Sequence, residues 1–188
     1  MIVCLGWGSL VWDPQGLEVL PPWRLDGPVL PIEYARESKD GRLTLVVLPQ
    51  GTPCVTLWAP FDTDSVATAR EALRLREGPT REEWIGQWSE GEASQNAIKR
   101  AIETWAIARE VSTVLWAALP PKFAGEDGRA PDQREALAYL AALRGVQREA
   151  AEEYIRRTPH QIRTSTAQRL KRVWAGKPTP RSSSYYLR

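Results

Sequence analysis

The stretch Ile2-Val3-Cys4-Leu5-Gly6-Trp7-Gly8-Ser9-Leu10-Val11-Trp12 changes character at its midpoint. Its first four residues are β-branched or apolar, the short continuous run of a strand buried on both faces. Gly6, Gly8 and Ser9 then break the run, so the strand ends in a tight polar bend. A strand feeding a glycine-bearing loop is a place where a fold can present backbone N–H groups to a ligand.

Beyond this bend, Pro14, Pro21, Pro22, Pro28 and Pro31 predict an irregular surface segment from Asp13 to Pro31 with no central strand. Arg42–Leu48 and Cys54–Ala59 are β-rich runs around Pro49-Gln50-Gly51-Thr52-Pro53, a composition that predicts an antiparallel hairpin. Asp64 reads as the N-cap of a first helix running to Arg76 and stopped at Gly78-Pro79. Glu82, Glu83, Glu90 and Glu92, interleaved with Trp84 and Trp88, read as a solvated helix face with an apolar reverse. A helix fits Ser94–Arg109, with Ile98, Ala101, Ile102 and Trp105 on one face, and a strand fits Thr113–Ala118. Phe123–Ala130 reads as a mobile loop. Further helices fit Asp132–Arg144 and Val146–Arg157, and a last one, capped by Thr158, runs toward Trp174. The pattern is one α+β domain over residues 1–188 with a helical C-terminal half.

Composition narrows the chemistry. Of the 188 residues 43% are hydrophobic and 26% charged, as in ordinary globular domains, and no apolar run approaches a membrane span. The first residues lack the basic flank and cleavage site of a signal peptide, so a cytoplasmic protein is expected. Cys4 and Cys54 are the only cysteines and His160 the only histidine, which rules out a zinc site of nitrogen and sulfur ligands and Ser-His-Asp or Cys-His catalysis. No metal or cofactor is expected, and proton chemistry falls to carboxylates, tyrosines or lysines. The net charge is only +2, yet no acid follows Glu153 while Arg156, Arg157, Arg163 and Arg169 do. Without aromatic interleaving or a nucleic-acid motif, this basic segment reads as a solvated face rather than a nucleic-acid site. The nine tryptophans read mainly as core or groove-lining residues.

The segment Trp7-Gly8-Ser9-Leu10-Val11-Trp12, directly after a first strand, resembles the Tyr-Gly-Ser-Leu-x-Trp signature of the γ-glutamylcyclotransferases and their ChaC-like relatives. Leu73-Arg74-Leu75-Arg76-Glu77-Gly78 is similar to the helix of that family that ends in Arg-Glu, and Tyr185-Tyr186-Leu187 to its C-terminal Tyr-Leu. Tyr34-Ala35-Arg36-Glu37-Ser38, before the strand at Leu43–Leu48, is a weaker echo. Residues from Ser94 to Gly176 carry no motif of the family. The resemblance implies a mixed β-sheet or barrel with surrounding helices, and a small γ-glutamyl substrate that is cyclised to 5-oxoproline with release of an amine or amino acid. It also implies Glu77 as the catalytic acid/base, the loop Trp7, Gly8, Ser9 and Leu10 as the substrate cradle, and Tyr186 as a residue closing the pocket.

Glu77 stands out on physical grounds as well. A carboxylate in the last turn of a helix opposes the macrodipole, and such broken local rules concentrate at functional sites. The bland alternative is an exposed glutamate paired with Arg74 or Arg81. Asp13 precedes Pro14 and reads as a turn residue, and Ser9 has neither a histidine base nor a nucleophile elbow, so it reads as a backbone donor. Trp7 stands where the family has tyrosine, which exchanges a hydroxyl for a single N–H donor. That exchange motivates an alternative, a non-catalytic protein on the same fold that binds a small carboxylate or a partner. The cyclase reading requires the Glu77 carboxyl to face the bend after the first strand.

Overall fold

The computed structural model describes residues 1–78 and 81–175. Strand β1 (Ile2–Gly6) is buried along its whole length. It lies in a four-stranded sheet ordered β5 (Leu57–Pro60), β1, β7 (Thr113–Ala117), β6 (Ile85–Ser89). Cys4 faces Ala59 across an antiparallel ladder and Leu115 across a parallel one. The alternation of a strand divides its side chains between two cores. Ile2 and Cys4 pack with Ala69 and Leu73 of α1 (Val66–Arg76), whereas Val3 and Leu5 pack with Leu30, Ile32 and Tyr34 of a second sheet. A fully buried leucine or isoleucine contributes about 1.5–3 kcal/mol, and β1 draws on both faces.

The second sheet is built on β2 (Val29–Glu37). β3 (Leu43–Val47) and β4 (Thr52–Val55) each pair antiparallel with β2, and no ladder joins them to each other. The expected hairpin is therefore replaced by two strands sharing a third, and that third strand begins inside the segment expected to be irregular. Pro31 lies within β2 opposite Pro53. Its carbonyl accepts the Leu48 amide at 2.9 Å; having no N–H to return, it leaves the Leu48 carbonyl to take the Gly51 amide at 2.7 Å. A local turn thus supplies the bond that proline cannot make.

Residues 82–92 form no helix. Glu82–Trp84 is a single 3₁₀ turn, and β6 follows. The helix expected from Glu82, Glu83, Glu90 and Glu92 interleaved with Trp84 and Trp88 is replaced by a strand whose Ile85 and Trp88 point to opposite sides of a sheet covered on both: Ile85 belongs to the α1 core and Trp88 to the inter-sheet core. The expected loop at Phe123–Ala130 contains a small hairpin, β8 (Lys122–Phe123) and β9 (Glu126–Asp127), turned by Ala124 and Gly125 at φ 52° and 82°. β8 attaches it parallel to β2 at Arg36.

The remaining helices follow their sequence signals with shifted ends. Ser65, not Asp64, caps α1 by accepting the Thr68 amide. Asn96 caps α2 (Ala97–Ile107), whose buried face holds Ile102, Trp105 and Ala106. α3 (Gln133–Ala142) carries a complete capping box of Asp132 and Glu135, and α4 (Gly145–Arg157) follows. The last helix, α5 (Ser165–Ala175), begins well beyond Thr158. Thr158 instead closes α4, its amide and hydroxyl both donating to the Tyr154 carbonyl, while Thr164 Oγ1 accepts the Ala167 amide at the start of α5. The fold is α+β with two mixed sheets and five helices among the described residues. No helix among them is long and apolar enough to cross a membrane.

Candidate functional site

The bend after β1 lines a cavity of about 100 Å³ with Trp7, Gly8, Ser9 and Leu10, and the same cavity is lined by Arg76, Glu77 and Tyr154. Thr44, Leu45 and Val46 of β3 and Ala117 and Leu119 at the end of β7 complete the wall. Two segments distant in sequence, the β1 bend and the α1 terminus, therefore meet at one small space. Tyr186 lies outside the described residues.

Local geometry explains how Glu77 arrives there. It is the C-cap of α1, its amide still bonded to the Leu73 carbonyl at 3.1 Å, and Gly78 at φ 89° turns the chain away in the left-handed conformation open to glycine. The Glu77 side chain is 11% exposed and that of Arg76 8%, and their charges pair at 2.8 Å. Arg76 Nη2 also donates to Ser9 Oγ at 3.2 Å and to the Asp13 carbonyl at 2.8 Å, so one guanidinium ties the helix end to the bend. Its Nε is buried and has no hydrogen-bond partner among the described residues. Arg74 pairs with Glu71 and Arg81 with Glu83. Neither of the two surface cations expected to pair with Glu77 does so.

Trp7 is 5% exposed, and its indole N–H donates to the Leu45 carbonyl at 3.2 Å. Its only polar handle therefore fastens the bend to β3 and is not aimed at the cavity. Asp13 acts as a turn residue, its carboxylate accepting from Gln15. The Gly8 and Leu10 amides have no protein acceptor among the described residues, which leaves two donors at the cavity wall.

Tyr154, from α4, reaches the bend from the other side. Its hydroxyl oxygen accepts the Leu45 amide at 3.3 Å. The ring meets Trp12 edge-on at 5.4 Å, and the Arg42 guanidinium lies 5.4 Å above it. Burial is the main cause that pushes this hydroxyl up to about 12, with the Glu77 charge adding and the nearby Leu45 and Ser9 backbone groups and Arg42 opposing. Because the folded value lies above the free value of 10.0, the stability this group contributes is fully present below pH 10 and is lost as the pH rises through about 12. Absorbance titration at alkaline pH should therefore show a late tyrosine ionisation that Tyr154→Phe removes, and the stability of that variant should fall less steeply over the same interval. Beneath the pair, burial, reinforced by the Glu77 charge, pushes the Cys4 thiol up and keeps it un-ionised and inert.

A larger cavity of about 250 Å³ lies between α4, α5 and β2 and contains His160 and Arg163. No carboxylate among the described residues lines it, and the Tyr34 hydroxyl at its wall is already bonded to Thr158 Oγ1 at 3.1 Å. It offers no acid/base pair. The site at the bend includes Arg76 and Tyr154, which sequence reasoning did not single out for chemistry. Arg76 sat within the Arg-Glu echo and could have been read as the partner of its neighbour. Tyr154 shares a helix face with Ala151 and Ile155 and shows only the signal of a core residue. Comparisons of the chain with protein-family models, with curated proteins and with solved structures found no match.

Proposed function

We propose that the chain is a cytoplasmic enzyme that cyclises a small γ-glutamyl compound, releasing 5-oxoproline and an amine or amino acid. The observation that carries this reading is the placement of one carboxylate, Glu77, with its side chain only 11% exposed, in the same cavity as the glycine-serine bend. In this reaction the nucleophile belongs to the substrate: its α-amine attacks its own γ-carbonyl carbon, a C–N bond forms, and the C–N bond to the leaving amine breaks. Glu77 takes protons from the attacking nitrogen and returns them to the leaving nitrogen, so no net charge accumulates on the protein. The Gly8 and Leu10 amides suit the developing oxyanion or the substrate carboxylate. Folding the substrate toward a five-membered ring inside so small a space supplies proximity. Free, buried Cys4 and Cys54 suit a reducing compartment.

Incubation of the purified protein with a panel of γ-glutamyl peptides and γ-glutamylamines, read by mass spectrometry, should show 5-oxoproline released from at least one of them. No release across the panel would overturn the enzymatic reading. A second reading, a protein that binds a small carboxylate without turnover, is favoured by the Arg76–Glu77 ion pair, because the carboxylate is already engaged by Arg76 Nη1 at 2.8 Å. Calorimetry showing tight ligand binding with no product would select it.

A further inference from the structure

The hydroxyl expected at position 7 is absent from the bend, but a hydroxyl is present. Tyr154 delivers one from α4, in the part of the chain without family motifs, and Gly8 is the residue that admits it: a Cβ on Gly8 would lie 2.5 Å from Tyr154 Oη. The Leu45 backbone N–H donates to that oxygen at 3.3 Å. The oxygen thus acts as an acceptor while the hydroxyl's own proton has no acceptor among the described residues, and the incoming amide polarises it toward donation. The residue is 4% exposed, and the cavity that it lines also holds Glu77. The ring is held by the Trp12 edge contact and the Arg42 cation, so the hydroxyl is fixed before any ligand enters.

We propose that Tyr154 is a catalytic residue whose hydroxyl donates a hydrogen bond to the carbonyl oxygen of the bound ligand, the γ-carbonyl oxygen that becomes an oxyanion as the ring closes. The inference rests on the cyclase reading for the identity of that oxygen. The Leu45 amide then acts through the hydroxyl and not directly on substrate, and Gly8 is a positioning residue that keeps the space open. An incoming lactam or amide carbonyl is the neutral oxygen acceptor that such a donor selects.

The test combines titration calorimetry with 5-oxoproline and steady-state kinetics with the best γ-glutamyl substrate, on wild type, Tyr154→Phe, Gly8→Ala and the double variant. Tyr154→Phe is expected to bind 5-oxoproline about 10-fold more weakly, the loss of one hydrogen bond. Its kcat is expected to fall about 10²–10³-fold with a much smaller change in KM, as when an oxyanion donor is removed. Gly8→Ala should act in the same direction, and adding it to Tyr154→Phe should cost little more, because without the hydroxyl the nearest ring carbon is 3.5 Å from the new methyl. A purely structural tyrosine would lower the melting temperature while leaving affinity and kcat unchanged, and that result overturns the proposal. If wild type binds 5-oxoproline without turnover and Tyr154→Phe weakens the binding, the cyclase reading fails and the donor role stands. If wild type turns over and Tyr154→Phe matches it, the donor role fails and the cyclase reading stands. Neither binding nor turnover in wild type removes both.

Discussion

Glu77→Gln should lower the rate of 5-oxoproline release about 10²–10⁴-fold, the range for loss of a positioned acid/base. Glutamine keeps the shape of the side chain and an oxygen that can still accept from Arg76 Nη1, but it cannot carry a proton between the attacking and leaving nitrogens. Circular dichroism of the variant should therefore match wild type while turnover collapses. The Glu77 side chain is 11% exposed and lines the cavity, so bulk water has little access with which to substitute for it. Activity retained within tenfold would remove Glu77 from the mechanism, wherever the substrate binds.

Arg76→Ala should be the most destabilising single change at the site, by about 3–5 kcal/mol, because it strands a buried carboxylate. It also removes the donors to Ser9 Oγ and to the Asp13 carbonyl and so frees the bend from the end of α1. For a chain of this size about 2–4 °C of melting temperature accompanies each kcal/mol, so a fall of roughly 6–20 °C is expected in a thermal melt. The double variant Arg76→Ala/Glu77→Ala should recover part of that loss, since no charge is then left unpaired. A melting temperature within a degree or two of wild type for Arg76→Ala would show that the pair contributes little and that the helix end is held by packing alone.

Local signals located most of the elements that frame the site. The apolar run of β1, the glycines that end it, the helix stopped at Gly78 and the Asp132–Glu135 capping box are all written in adjacent residues, and the structure has each of them. Pairing is a tertiary property, and there the sequence was less legible. Pro31 was read as a barrier to a central strand, and only the Gly51 amide on the Leu48 carbonyl shows how β2 tolerates it. The acidic run around Trp84 and Trp88 was read as a helix face because both faces of the sheet holding Ile85 and Trp88 are covered, which hides the period of a strand. At the site, Trp7 to Leu10 and Glu77 were named chiefly from a family resemblance, and these residues line one cavity. Tyr154 was not named, since a buried tyrosine on an amphipathic helix looks the same whether its hydroxyl meets a core carbonyl or a functional bend.

The most direct measurement is a crystal structure of Glu77→Gln with 5-oxoproline bound. The account predicts the ligand in the cavity at the β1 bend, with its lactam nitrogen within hydrogen-bond reach of residue 77 and its carbonyl oxygen on the Tyr154 hydroxyl or the Gly8 and Leu10 amides. A ligand seated elsewhere, such as the larger cavity beside His160, with the bend unoccupied, would contradict it.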